Sequence, residues 1–145
     1  MASIFRRLTS AVLMALPLAV CSTAQAQEWV RVGTDSDGNS YSIDTSRIVH
    51  DGSILSVRVR TEYARPRTVE AADVDIFAAL DHMVIDCGKA SFAIQSRTVV
   101  AADGTEMPRG STARADLRFR VAAAGSMSES IVRFACRPAA AGNKK

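Results

Sequence analysis

The stretch ILSVRVRTEY, residues 54–63, alternates apolar and polar side chains along its whole length. One face carries Leu55, Val57, Val59, Thr61 and Tyr63, and the other carries Ser56, Arg58, Arg60 and Glu62. A period of two predicts a strand with one buried and one solvated face, as in an antiparallel sheet. We expect this strand to end before Pro66, which has no backbone N–H to donate to a neighbouring strand.

Several shorter segments predict the other strands of this sheet because they are rich in β-branched and aromatic residues. They are EWVRVG, SYSID, DHMVIDCG, ASFAIQSRTVVAADG and, as a last candidate, DLRFRV. The expected single face of the fourth segment is Phe92, Ile94, Ser96, Thr98 and Val100. The segment VEAADVDIFAAL instead places apolar residues at helical spacing after Thr68, a helix-capping residue type, and this favours a short helix or an ordered loop.

The C-terminal segment AAAGSMSESIVRFACRP predicts a capped helix. Ser126 and Glu129 have the spacing of a capping box, and Pro138 ends the helix. The apolar stripe of this helix is Met127, Ile131, Phe134 and Ala135. The sequence therefore predicts an α+β fold, an antiparallel sheet of about six strands with a C-terminal helix packed on one face.

The first 26 residues have the layout of a secretory signal peptide, with a short basic start, an uncharged apolar run and an A-x-A site at Ala24 and Ala26. We expect cleavage after Ala26, which leaves residues 27–145 as a single mature domain without a transmembrane helix. The tetrapeptide LAVC also resembles a lipoprotein motif with lipidation at Cys21. Val20 stands where that motif requires a small residue, so the A-x-A site is favoured.

After this cleavage Cys87 and Cys136 are the remaining cysteines. Two cysteines in an oxidising compartment favour a disulfide, which would join the C-terminal helix to the sheet and stabilise the domain by about 4 kcal/mol. The alternative is a metal-binding or nucleophilic pair, but there is no Cys-x-x-Cys spacing, and His50 and His82 are distant in sequence. No catalytic, metal-binding or cofactor motif is recognisable, so we expect a protein that is not an enzyme and needs no cofactor.

Asp35, Asp37 and Asn39 lie two residues apart in GTDSDGNSYSID, which suggests either a calcium loop or a hairpin turn. An EF-hand loop needs glycine at its sixth position and glutamate at its twelfth, and counting from Asp35 these positions hold Ser40 and Ser46. The Asp-Gly pair is typical of hairpin turns. The sequence predicts a turn and leaves weak cation binding open.

Charge gives one further indication of function. The chain has 18 basic and 15 acidic residues, a net charge of +3, and loss of two arginines with the signal peptide leaves 16 against 15, a net of +1. This balance does not indicate nucleic-acid binding. Arg58 and Arg60 alternate in one strand and Arg118 and Arg120 in another, so neighbouring strands would form an arginine patch on the uncovered face of the sheet, for an acidic partner surface or a polyanion. The alternative is a role in solubility and in protecting strand edges.

The order of these features resembles the surface-adhesin protein E family of Gram-negative bacteria. The residues that carry the resemblance are Trp29, Tyr41, Ile43, Asp44, Ser46, Gly52, Val57, Val59, Asp86, Cys87, Gly104, Gly125, Ser126, Glu129 and Cys136. The resemblance covers nearly all of the mature chain and implies an antiparallel sheet with a C-terminal helix. It also implies export to the periplasm or the outer-membrane surface and a role in adhesion to host proteins.

We therefore predict an exported, non-enzymatic binding domain that contacts a protein or matrix partner at the cell envelope. The alternative is a periplasmic structural or accessory protein, an inhibitor or an envelope-assembly factor, with no adhesive role. A small hydrolase with an unrecognised site is a third possibility, for which the sequence offers no candidate residues. The sequence leaves the identity of the partner and the oligomeric state open, a dimer included.

Overall fold

A computed structural model describes residues 27–69 and 74–137. The strands are β1 (Trp29–Thr34), β2 (Ser40–Asp44), β3 (Val49–Asp51), β4 (Ile54–Val69), β5 (Val74–Asp86), β6 (Ser91–Ala101), β7 (Glu106–Ser111) and β8 (Arg120–Val121). The helix α1 spans Met127–Ala135, and two 3₁₀ turns span Thr45–Arg47 and Arg114–Asp116. The predicted signal peptide, residues 1–26, and Pro138 lie outside the described residues. Within the described ranges, no helix has both the length and the apolar character of a membrane span.

All described strands belong to one antiparallel sheet with the order β1-β2-β4-β5-β6-β7. The short strand β3 lies beside β4, and β8 lies beside β6. The structure confirms the α+β class and the single C-terminal helix. The described residues form eight strands rather than about six, and the two additional strands are β3 and β7. With three residues, β3 is too short to show a period in the sequence, and β7 contains Pro108 and Gly110, residue types that are typical of loops.

The alternation predicted for residues 54–63 is confirmed in β4. Leu55, Val57, Val59 and Thr61 are buried toward the helix, and the residues between them are at least partly exposed. The predicted end of the strand before Pro66 is wrong, because β4 continues to Val69. The pairing register with β5 shifts between Glu62 and Arg67, so Pro66 lies in an irregularity where no ladder hydrogen bond is needed from it.

The predicted helix or loop in VEAADVDIFAAL is also wrong, because residues 74–80 form the start of β5 between β4 and β6. The pairing register of β5 with β6 shifts between Ile76 and Ala78. The extra residue turns Ile76 onto the same face as Ala79, where both pack with Val99. Of the apolar residues at helical spacing, Ile76 is buried, Phe77 is exposed and Leu80 is half-buried, so they do not form one buried face.

The single face predicted for β6 is only partly correct. Phe92 and Ile94 face the helix, but beyond Ile94 the register against β5 shifts by one residue. The buried positions then become Val99 and Ala101 instead of Thr98 and Val100. The predicted strand DLRFRV is shorter than expected, since within it only Arg120 and Val121 pair with β6.

The predicted capping of α1 by Ser126 is confirmed, and the Glu129 side chain reaches Gly125, one residue before the N-cap, rather than the Ser126 N–H of a regular capping box. Ser126 Oγ accepts a hydrogen bond from the Glu129 N–H at 3.2 Å, and Glu129 Oε2 accepts one from the Gly125 N–H at 2.7 Å. Ile131, Val132 and Ala135 of the helix are buried against Ile43, Leu55, Val57, Val59, Met83, Ile85 and Phe92 of the sheet. The predicted disulfide Cys87–Cys136 is confirmed, and it joins the C-terminal end of α1 to the residue after β5.

The face of the sheet away from α1 is partly covered at one end. Val84 and Ala93 point to that face and are still buried, with 1% and 3% of their surface exposed. Arg114 Nη2 donates to Asp51 Oδ2 at 3.2 Å, which connects the second 3₁₀ turn to β3. β3 and β6 are separated by β4 and β5, and Arg114 is close enough to His82, which lies on this face, to lower its pKa, so the segment between β7 and β8 crosses this face.

Candidate functional site

The helix α1 covers only part of its own face of the sheet. Beside its first turn, an open cleft of about 270 Å³ lies over β4, β5 and β6, and we call it the helix-side cleft. Its floor is formed by the buried residues Val59, Thr61, Asp81 and Met83. Its sides are formed by Tyr41, Tyr63, Arg67, Phe92, Ile94, Arg97, Arg120, Met127, Ser128 and Ile131. The cleft thus combines aromatic, apolar and cationic side chains.

A bidentate ion pair lies in the helix-side cleft. Arg97 Nε donates to Asp81 Oδ1 at 2.6 Å, and Arg97 Nη2 donates to Asp81 Oδ2 at 2.7 Å. The Asp81 side chain is 8% exposed and the Arg97 side chain is 46% exposed. The hydrogen bond to Asp81 raises the pKa of Arg97 above its ordinary value. Each carboxylate oxygen of Asp81 therefore accepts a hydrogen bond from Arg97, and the charge of this buried group is neutralised.

The register shift in β6 brings this pair together. At the end of the hairpin that joins β5 and β6, Asp86 pairs with Ser91 and Met83 with Ile94. Continued without interruption, this register would place Ser96 opposite Asp81. The irregularity at Gln95 moves Arg97 to that position instead.

Two more arginines lie on aromatic rings at the sides of the cleft. The guanidinium carbon of Arg67 is 4.5 Å from the ring centroid of Tyr63, and that of Arg120 is 4.6 Å from the ring centroid of Phe92. These distances are within the range of cation–π contacts. Three arginines against one aspartate, Asp81, give the lining of the cleft a net charge of +2.

Asp35 lies behind Tyr41 at the edge of the cleft and organises the β1–β2 turn. Its Oδ1 accepts hydrogen bonds from the N–H groups of Asp37 and Asn39 at 3.0 and 2.9 Å. Its Oδ2 accepts from Asn39 Nδ2 at 2.9 Å and from the Tyr41 hydroxyl at 2.8 Å. The structure confirms a hairpin turn at GTDSDGNSYSID, with Gly38 at a positive φ of 86°. With Asp35 included, the net charge around the cleft is +1.

These contacts shift the ionisation of both partners. The hydrogen bond from the Asn39 side chain, with those from Tyr41 and two backbone N–H groups, lowers the pKa of Asp35. Burial and the Asp35 carboxylate raise the pKa of Tyr41 to about 12. At neutral pH the Tyr41 hydroxyl therefore keeps its proton and remains a donor to Asp35.

Asn39 connects this turn to the irregular part of β4. It is buried, its Nδ2 donates to Asp35, and its Oδ1 accepts a hydrogen bond from the Ala64 N–H at 3.1 Å. Ala64 lies between the register positions Glu62 and Arg67, where the pairing of β4 with β5 is interrupted. The turn thus holds the segment that presents Arg67 to the cleft.

The four arginines predicted to form one patch do not share a surface. Arg58 and Arg60 lie in β4 on the face away from α1, where Arg58 is 6.0 Å from the ring centroid of Trp29 and Arg60 Nε is 3.0 Å from Glu62 Oε1. Arg120 lies on the opposite side, over Phe92, and Arg118 is exposed in the irregular segment before β8. Partner binding by any of these arginines stays a prediction.

The histidines show no metal-binding arrangement. His82 lies beside Arg58 on the face away from α1, and burial, together with the charges of Arg58 and Arg114, lowers its pKa. His50 is exposed in β3. In residues 27–69 and 74–137, no group of three or more His, Cys, Asp or Glu side chains could hold a metal ion.

Sequence reasoning did not identify Asp81, Arg97, Tyr63 or Arg67 as members of a common site. The sequence contained one usable signal. A hairpin between the strands around residues 81 and 97 places these two residues opposite each other, or one position apart if the hairpin contains an irregularity. The position of that irregularity is not visible in the sequence. Arg120 was identified as a candidate but was expected on the opposite face of the sheet.

Comparison with known proteins bears on this geometry. The model of the family described as surface-adhesin protein E matches residues 29–137, which include every described strand, the helix α1 and both disulfide cysteines. A search of curated proteins finds no match. The matched range contains the whole helix-side cleft and both faces of the sheet.

Proposed function

The chain belongs to the surface-adhesin protein E family, and from this premise we propose that it is an exported, non-enzymatic binding domain that contacts a protein or matrix partner at the cell envelope. The helix-side cleft is the structural observation that supports this proposal independently of the family match. Arginine and tyrosine side chains, which are enriched where proteins recognise each other, line an open surface there. The disulfide ties the helix beside this surface to the sheet.

The ionisable groups of the cleft support a binding role, because they are held in hydrogen bonds within the protein. Both oxygens of Asp81 accept hydrogen bonds from Arg97, and the Tyr41 hydroxyl donates to Asp35. These groups hold the walls of the cleft in position, which is useful for recognition.

Capture experiments test this function. The oxidised protein would be immobilised and exposed to a solubilised extracellular-matrix preparation and to an outer-membrane protein fraction, with and without EDTA. We expect capture that survives EDTA and is lost when Cys87 and Cys136 are both replaced by serine. If the folded, oxidised protein captures no component of either preparation, the proposed function is wrong.

Protease treatment of intact cells distinguishes surface display from a periplasmic accessory role. A surface-exposed domain is cleaved in intact cells, whereas a periplasmic one is cleaved only after the outer membrane has been permeabilised. Protection in intact cells would favour the inhibitor or assembly-factor alternative. The proposal requires cleavage without permeabilisation, with a periplasmic marker protein remaining intact as the control.

Arg58 and Arg60 are a second candidate contact on the opposite face. They follow each other on one face of β4, beside Trp29 and Glu62. Replacing both with glutamate should weaken partner capture and reduce its salt dependence if that face binds an acidic partner. Unchanged affinity and salt dependence would remove these two arginines from the binding surface.

A further inference from the structure

We propose that the helix-side cleft binds an acidic peptide segment of the partner, one that carries a carboxylate side chain next to an apolar side chain. This inference rests on the proposed function and assigns a site and a ligand class to it. It is carried by the distribution of charge in the cleft, by the apolar groups between the charges and by the size of the cleft.

The charges of the cleft are divided into a satisfied pair and two further cations. Asp81 is neutralised by Arg97. Among the described residues, Arg67 and Arg120 make no ion pair, and each lies over an aromatic ring instead. A cation–π contact uses none of the guanidinium N–H groups as hydrogen-bond donors to an anion, so they can still bind both oxygens of a carboxylate. Arg67 and Arg120 are therefore the expected anchors.

The space between these cations is partly apolar. Ile94, Met127 and Tyr63 are half-buried and line the cleft above its buried floor. An anionic ligand without an apolar part would leave these groups in contact with water. A peptide with a carboxylate and an adjacent apolar side chain matches both kinds of surface, which favours it over a sulfated polysaccharide.

The size of the cleft agrees with a side-chain ligand. Its volume of about 270 Å³ is just below the range of about 300–1,000 Å³ of small-molecule sites. It accommodates one or two side chains of a segment that otherwise lies on the surface. The open shape allows the rest of the partner to extend beyond the cleft.

Fluorescence anisotropy with the oxidised, full-length exported protein tests the inference. The probes are a fluorescein-labelled peptide of alternating glutamate and leucine and its glutamine–leucine counterpart. The variants are Arg67→Gln and Arg120→Gln, and the matched control is Arg109→Gln, an exposed arginine of β7 that does not line the cleft. Thermal melting of each variant confirms that it is folded.

The glutamate peptide should bind at least about tenfold more tightly than the glutamine peptide, and each cleft variant should lose about tenfold in affinity, the value of one hydrogen bond to a charged group. Arg109→Gln should bind like the parent protein. Equal binding of the two peptides, or unchanged affinity of both cleft variants, would overturn the inference. So would binding of dextran sulfate at this cleft without binding of the glutamate peptide, since the ligand would then be a polyanion.

This experiment separates the two proposals. If neither peptide binds but the protein still captures a partner from matrix or envelope preparations, the ligand assignment fails and the binding function stands. If the glutamate peptide binds and the Arg67 and Arg120 variants lose it while no partner is captured, the site stands and the envelope-binding function fails.

Discussion

Removal of the Arg97 guanidinium leaves the Asp81 carboxylate without a partner where only 8% of its side chain is exposed. Breaking a buried ion pair in this way costs about 3–5 kcal/mol, because the remaining charge has lost both water and its counter-ion. We expect the lower end of that range for Arg97→Met, since the guanidinium is itself half exposed and already shares its charge with solvent. This is a large part of the net stability of a small domain, about 5–15 kcal/mol.

The reverse substitution should cost much less. In Asp81→Asn the amide oxygen still accepts a hydrogen bond from Arg97, and water can solvate the half-exposed guanidinium, so we expect a loss of about 1 kcal/mol. Adding Asp81→Asn to Arg97→Met should recover stability, because the double variant no longer holds a buried, unpaired charge. The asymmetry follows from the difference in exposure between the two partners.

Urea denaturation followed by fluorescence measures these differences, and Trp29 is the only tryptophan in the chain. The free energy of unfolding comes from the midpoint and the slope of each transition. Arg109→Met, an exposed substitution in β7, is the control and should change stability by less than about 0.5 kcal/mol. Equal losses for Asp81→Asn and Arg97→Met, or a double variant less stable than Arg97→Met alone, would refute the reasoning.

Three further predictions concern the disulfide and the ionisable groups. Replacing Cys87 and Cys136, which are 49 positions apart, with serine should lower the free energy of unfolding by about 4 kcal/mol, and a loss below about 1 kcal/mol in urea would contradict this. The pKa of Asp35 is lowered in the folded state, so the contribution of its carboxylate to folding stability is present above its ordinary pKa and is lost as pH falls through the folded value. The difference in the free energy of unfolding between the parent protein and Asp35→Asn should therefore shrink at acid pH. Burial and, to a smaller extent, the charges of Arg58 and Arg114 lower the pKa of His82, so protonation of His82 destabilises the fold as pH falls through the folded value. An NMR titration should show Arg58→Gln raising this pKa, and an unchanged pKa would exclude the contribution of Arg58.

Much of the fold follows from chemistry that acts over a few residues. The ten-residue alternation in β4, the capping of α1 by Ser126 and the turn at Asp35 were predictable, because strand pleat, helix caps and tight turns depend on neighbouring residues. The pairing of Cys87 with Cys136 followed from the expected export and from the number of cysteines left. The helix or ordered loop expected at residues 69–80 is wrong, because pairing with β4 and β6 outweighs the local helical spacing of the apolar residues in β5.

The candidate site was much less predictable than the fold. The residues of the helix-side cleft come from β2, β4, β5, β6, β8 and α1, so no short stretch of sequence contains its pattern. Arg120 shows the difficulty clearly. Its sequence neighbours suggested a strand face shared with Arg58, but β8 pairs at the far side of the sheet and the guanidinium turns onto Phe92.

The sequence by itself determined the antiparallel strands, the capped C-terminal helix, the cysteine pair and the resemblance to the surface-adhesin protein E family. The tertiary structure alone decided that Arg97 lies opposite Asp81 and that Arg67, Arg97 and Arg120 surround one cleft. The physical reason is that a single extra residue in a strand exchanges which side chains share a face, and its position depends on packing against distant strands rather than on local sequence.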